Sequence, residues 1–238
     1  MPTSHTVVAY DQELKDLSSR IAEMGGMAEG LVADAVTALA RGDAALAQRV
    51  ILSDARLDRL QRSVEEQAIV VIAKRQPMAM DLRQIFVAMR ISNDLERVGD
   101  LAKSIAKRVV AMGGAVQVKR VVIGVEHLAE ITLEQLKAVL DAYAARDLDA
   151  AKLVRDRDEQ IDALYTSLFR ELLTYMMEDP RNITFCTHLL FCAKNIERIG
   201  DHATNIAESV QYLVTGELAV DDRPKSNDAE QMKLDGDA

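Results

Sequence analysis

The chain has 238 residues, enough for one large or two modest domains; hydrophobic residues make up 49% of it, aromatic residues 4%, and there is no Trp. That is the usage of long amphipathic helices with aliphatic cores. A formal net charge of -9 opposes sequence-independent attraction to a phosphate backbone and so disfavours direct nucleic-acid binding. No apolar run approaches the ~20 residues needed to cross a bilayer, the longest being the stretch from Ala68 to Ala73, so no membrane insertion is expected. The N-terminus has no charged-then-apolar export pattern, which makes a cytoplasmic location the expectation.

Residues 1–8 read as a loose start. From Tyr10 to about Ala40, Leu14, Leu17, Ile21, Met24, Met27/Ala28, Leu31, Ala35 and Leu39 recur at steps of three and four, the mark of one helix face. Gly25, Gly26 and Gly30 inside that helix mark close packing or a bend. Arg41-Gly42-Asp43 is a turn with an acidic N-cap, and a second helix runs to about Arg75. Pro77 stops it, and Asp81 is the expected cap of a third helix with Leu82, Ile85, Phe86, Met89, Leu95, Val98, Ala102, Ile105 and Val109 as core positions. The first module ends at Met112-Gly113-Gly114. A fourth helix is expected from about Lys119 to Ala145, with Ile123, Leu128, Ile131, Leu136 and Leu140 among its apolar positions. The fifth runs unbroken from the turn at Arg146-Asp147 to Met177, and the sixth is capped by Asn182 and ends near Gly216. Cys186 and Cys192 stand six apart in the sixth, roughly 9 Å along the axis, too far for a disulfide and so expected as buried thiols.

The chain writes one stretch twice. Asp94-Leu95-Glu96-Arg97-Val98-Gly99-Asp100 returns 101 positions later as Asn195-Ile196-Glu197-Arg198-Ile199-Gly200-Asp201. Flanking residues follow: Asp81-Leu82 falls on Asn182-Ile183, Asp54 on Asp158 and Asp58 on Asp162. The fold class expected is therefore all-α, two tandem antiparallel three-helix bundles related by internal duplication, over residues 1–115 and 116–216. Residues 217–238, acidic and poor in apolar side chains, read as a disordered tail.

Each module carries two acidic pairs at i, i+4, which places both carboxylates of a pair on one side of a helix. They are Asp54/Asp58 and Glu96/Asp100 in the first module, and Asp158/Asp162 and Glu197/Asp201 in the second. Antiparallel hairpins centred near Pro77 and Pro180 bring the two pairs of each module to matching heights. Four carboxylates at one level repel unless cations lie between them, which points to a metal site of hard oxygen ligands suited to Mg, Mn, Ca or Fe better than to a structural zinc. On a helical wheel Glu96 and Asp100 turn away from the Leu95 core stripe, so the site is expected to be open. Other readings stand beside this: solvated helix faces, or pairs with arginines such as Arg97 and Arg198. Gly99 and Gly200 inside helices imply close approach by some other group. His202, next to Asp201, is either a further ligand or a packing residue. No nucleotide-binding or nucleophile motif supports an enzyme.

The paired Glu-Arg-(Val/Ile)-Gly-Asp motifs, the segment from Pro77 to Arg83, and Asn195 through Glu208 resemble the PhoU family of phosphate-specific transport accessory proteins. The resemblance implies paired three-helix bundles, iron or zinc held on Glu/Asp-x-x-x-Asp faces, and often a homodimer. It also implies negative regulation of phosphate uptake and phosphate-starvation signalling, through the ATPase subunit of a phosphate transporter and a two-component sensor histidine kinase. Carried over by position, the metal ligands are Glu96, Asp100, Glu197 and Asp201, then Asp54, Asp58, Asp158 and Asp162. A metal-independent helical interaction scaffold is the alternative.

Overall fold

The computed structural model describes residues 8–113 and 119–218. Most of the expected loose start, Gly114, and the tail from residue 219 lie outside the described residues, while Val8 already opens the first helix. Among the described residues the chain forms α1 (Val8–Arg41), α2 (Ala44–Arg75), α3 (Ala79–Ala111), α4 (Lys119–Ala145), α5 (Leu148–Asp156), α6 (Asp158–Glu178) and α7 (Ile183–Thr215), with one 3₁₀ turn at Pro180–Asn182.

The turns follow the predicted chemistry, with local exceptions. Asp43 accepts from the Leu46 amide to cap α2, and Asp147 accepts from the Asp149 and Ala150 amides to cap α5. Gly42 and its counterpart Arg146 both take left-handed backbone, at φ 64° and 54°. Asp81 does not cap α3: the helix starts earlier, behind Met78, whose side chain makes no cap bond, and Asp81 lies in the first turn, where its charge suits the helix dipole. Asn182 makes no cap bond either; Asp179 takes that role by accepting from the Arg181 amide at the 3₁₀ turn.

The expected fifth helix is broken at Arg157 into α5 and α6. The five residues from Arg155 to Glu159 are all charged, so no apolar side chain ties this turn to the core. Gln135 of α4, buried, donates from Nε2 to the Val154 carbonyl at 3.0 Å and satisfies an acceptor in the last turn of α5.

Helices α1–α3 form one bundle and α4–α7 the other. The bundles pack through α3 on α7 and α1 on α4, and their buried apolar residues join in one continuous core. Along the antiparallel α3–α7 seam, Arg83 lies over the Tyr212 ring at 5.5 Å, Asp94 meets His202, and Arg108 lies over Phe191 at 4.1 Å. On the other seam Gly25 is tightly packed: a Cβ there would come within 2.8 Å of Leu140, whereas Gly26 and Gly30 face open space. Leu82 and Phe86, expected in the core, are instead 43% and 48% exposed, Phe86 lying edge-on to the Tyr212 ring of α7, and Ile123 is exposed likewise. Cys186 and Cys192 are buried free thiols, as expected.

Candidate metal centre

The two glycines of the repeated motif set the geometry. A Cβ on Gly99 would lie 2.5 Å from Leu57 Cδ2, and one on Gly200 would lie 3.0 Å from Ile161 Cδ1. The group that approaches each glycine is thus a core side chain of the neighbouring helix. Leu57 lies between Asp54 and Asp58, and Gly99 between Glu96 and Asp100, so seating one on the other draws both acidic pairs together. Ile161 and Gly200 repeat the arrangement for Asp158, Asp162, Glu197 and Asp201.

In the α2–α3 cluster all four carboxylates act on one another across the helix pair. Burial pushes the Glu96 carboxyl above its ordinary range, and Asp100, Asp58 and Asp54 add to the rise against the pull of Arg97. Burial also raises Asp54, which is 1% exposed, and Lys103 pulls it back. The Lys103 ammonium sits within the cluster, 2.5 Å from Asp54 Oδ2 and 3.7 Å from Asp100 Oδ1. Arg97 stands 3.5 Å from both Glu96 and Asp100 at the outer edge.

The α6–α7 cluster is deeper. Burial raises Asp162, Glu197 and Asp201, and two of the other cluster carboxylates push each of them further, against the pull of Lys194. Glu197, the counterpart of Glu96, which the wheel turned away from the core, is 8% exposed. Lys194 reaches Glu197 Oε1 at 2.6 Å while lying over the Tyr165 ring. Thr204, where the first repeat has Lys103, donates to Asp158 Oδ1 at 3.0 Å. His202 is partly buried and pairs with Asp94 Oδ1 at 3.0 Å, forming a strut between the two clusters.

Hairpin register thus brings the eight predicted carboxylates into two groups of four. The donor set is hard oxygen, and two buried oxygens, Asp54 Oδ1 and Glu197 Oε2, have no hydrogen-bond partner. Both features fit a divalent cation. The clusters are nevertheless arranged around ammonium groups, and among the described residues no three acidic, His or Cys side chains converge closely enough to hold a metal ion. Sequence reasoning missed Lys103, Lys194 and Thr204. The signal was a comparison of the repeats at the same offset, which sets Lys103 against Thr204 and Asn93 against Lys194.

A model of the PhoU domain matches residues 21–109 and again 125–210, one match per bundle. The chain belongs to the PhoU family. It is 61% identical to the phosphate-specific transport system accessory protein PhoU homolog of Rhizobium meliloti (strain 1021), over 95% of this chain and 96% of that protein. Identity to the homolog of the same description from Caulobacter vibrioides (strain NA1000 / CB15N) is 51%, over 94% and 97%. The crystal structure of PhoU from Pseudomonas aeruginosa superposes with a TM-score of 0.84 at 39% identity, covering 87% of this chain and all of that one. The phosphate transport system regulatory protein PhoU from Streptococcus pneumoniae gives 0.81 at 29% identity, covering 89% of this chain and 99% of that one. The PhoU fold of two repeated helical bundles is therefore that of this chain.

Proposed function

We propose that this PhoU-family chain is an accessory protein of phosphate transport and a negative regulator of phosphate uptake and phosphate-starvation signalling. In this reading it is not an enzyme. It acts in the cytoplasm, as a homodimer, by binding the ATPase subunit of the transporter, a sensor histidine kinase, or both. The names of its relatives support the transport role. The observation that carries the mechanism is the duplicated carboxylate cluster, each copy holding a buried oxygen without a partner.

Asp54, Asp58, Glu96 and Asp100 would hold a metal ion in one cluster, and Asp158, Asp162, Glu197 and Asp201 in the other. Hard oxygen donors suit Mn or Mg, while the family resemblance points to iron or zinc. A bound cation supplies positive charge, turning a repulsive acidic face into one able to meet an acidic partner or a phosphate group. The protein's own residues prepare this: Leu57 and Ile161 lock helix spacing against Gly99 and Gly200, and the Asp94–His202 strut holds the clusters in register. No helix is long and apolar enough to cross a membrane among the described residues, so a partner in the membrane would be met from outside it.

The test is deletion of the gene in its host, with secreted alkaline phosphatase measured in phosphate-rich medium. High expression, reversed by the intact gene and not by a Glu96→Ala, Glu197→Ala variant, is the expected result; unchanged expression would remove the regulatory claim. The exposed tip formed by Met78, Met80, Leu82 and Phe86 favours the metal-independent scaffold as a second reading. Full complementation by the doubly substituted chain, together with partner affinity indifferent to chelator, would transfer the function to that tip.

A further inference from the structure

Where α1 packs on α4, a long groove lies open to solvent between the two antiparallel helices. Its larger part, a cavity of about 1010 Å³, runs from Asp11 to Glu29 on α1, with Leu140 and Arg146 of α4 opposite and Met80 and Leu213 at one end. A second cavity of about 420 Å³ continues it from Gly26 and Glu29 to Ala33, opposite Leu133 and Lys137. From Asp11 to Ala33 the groove is roughly 33 Å long, at about 1.5 Å per residue.

Gly25 and Gly26 are neighbours with opposite surroundings. Gly25 receives Leu140 and serves the packing of α1 on α4, whereas a Cβ on Gly26 or Gly30 would meet nothing within 4 Å. Interior glycines weaken a helix, and these two relieve no contact inside the chain; what they admit is a backbone approaching from outside. The walls repeat at the helical period. Lys15, Ser18, Ala22, Gly26, Glu29 and Ala33 step along α1 by three and four, and Glu134, Lys137, Asp141 and Ala144 do the same along α4, above a floor that includes Leu14 and Leu140. Charge along the groove is unbalanced toward acid. Five carboxylates line it, from Asp11 and Asp81 at one end through Glu29 and Asp141 to Glu134 at the other. Against them stand Lys15, Lys137 and Arg146, and Arg146 is already committed, donating to Gln84 Oε1 at 2.6 Å. Burial raises the Glu29 carboxyl, Lys137 pulls it back and Asp141 pushes it further, so added positive charge gains most in the middle of the groove.

We propose that the α1–α4 groove is a docking site for one basic amphipathic helix of a partner protein, about 20 residues long. Its apolar face lies on Leu14 and Leu140, its backbone passes close to Gly26 and Gly30, and its Lys or Arg side chains point toward Glu29 and Asp141. Length and period fit a helix, the glycines admit its backbone, and the excess of carboxylates sets the sign of its charge. The assignment rests on the partner-binding part of the function proposed above and needs no metal.

The experiment titrates the purified full chain into two fluorescent model helices of about 20 residues. They share a leucine face, and one carries lysines and the other glutamates on its polar face; affinity is read by fluorescence anisotropy at about 0.15 M salt. The native chain should bind the lysine helix saturably, and about tenfold or more tighter than the glutamate helix. Gly26→Leu, Gly30→Leu, which fills open space, should weaken that binding by about tenfold or more. Glu29→Lys, Asp141→Lys should invert the preference, and Met78→Ser, Phe86→Ser should leave it unchanged. Circular dichroism identifies a variant that fails to fold, and either groove variant decides without the other. In the host, the Gly26→Leu, Gly30→Leu chain should fail to reverse the alkaline phosphatase expression that the deletion raises. Equal binding of the two helices, no saturable binding, undiminished binding by the filled groove, or full reversal in the host by the filled groove each overturns the proposal. So does sedimentation velocity in which Gly26→Leu, Gly30→Leu turns a native dimer into a monomer, because the occupant is then a second copy of this chain. Failed binding beside raised alkaline phosphatase on deletion overturns the groove alone; saturable, groove-dependent binding beside unchanged expression overturns the regulatory reading alone.

Discussion

Glu197 is 8% exposed, with the carboxylates of Asp162 and Asp158 nearby, Lys194 on one of its oxygens and the other oxygen unpartnered. Burial, helped by neighbouring carboxylates and opposed by Lys194, raises it together with Asp162 and Asp201, so the folded state holds protons that the unfolded state has lost. Stability from these groups is complete below the unfolded carboxylate range and is lost as pH rises through the folded values. Glu13 and Asp179 work the other way, held low by Arg75 and Arg181, but they are surface pairs and weigh little. After metal removal, the unfolding temperature should therefore be higher at about pH 5 than at about pH 7. Mn(II) at neutral pH should flatten this dependence, and so should a Glu197→Gln, Asp201→Asn variant. Differential scanning fluorimetry across pH checks it; a chelated native chain that loses stability steadily on acidification over that range would contradict it. The acidic residues were legible because duplication set them apart from ordinary surface charge. Their counter-cations were not, because a lysine three positions from a carboxylate has the spacing of any solvated helix face.

At the scale of helices, the pattern of three and four predicted α1, α2, α3, α4 and α7 within a few residues, since each keeps one apolar stripe against the core. The break at Arg157 was not legible: no Gly or Pro announces it, and its stabilising partner Gln135 comes from another helix. The interior glycines carry the same intrinsic cost in a helix, but Gly99 is packed against Leu57 whereas Gly30 faces open space. Ala at Gly99 would gain about 1 kcal/mol of helix propensity but must displace Leu57, which has no exposed surface, at a cost of about 1–3 kcal/mol. Gly99→Ala should thus destabilise the chain by about 1 kcal/mol and loosen the cluster that Leu57 positions. Gly30→Ala, with nothing within 4 Å of the new Cβ, should stabilise it by about 0.5–1 kcal/mol. Urea denaturation of the two variants against the native chain measures both signs; equal shifts in the same direction would mean that packing at Gly99 is slack.

Duplication suggests two units that could stand alone, yet the seam between them argues otherwise for the whole molecule. Helix α3 lies in the first bundle and α7 in the second, and each buries a face against the other as well as within its own bundle. Arg83 lies over Tyr212 near one end of the seam, and its guanidinium occupies the space where a Cβ on Gly216 would be. Asp94 meets His202 further along, and Arg108 covers Phe191 near the other end. Separating the bundles would expose apolar surface along both α3–α7 and α1–α4 and leave these cations without their rings. The chain should therefore unfold in one cooperative calorimetric transition. Leu95→Ala in the first bundle and Ile196→Ala in the second, equivalent positions with no exposed surface, should each cost about 2–5 kcal/mol and lower that same transition. Two resolved peaks, with each substitution moving only its own, would show that the bundles melt independently. In that case the Asp94–His202 strut could not keep the two carboxylate clusters in register, and the two would respond to metal separately.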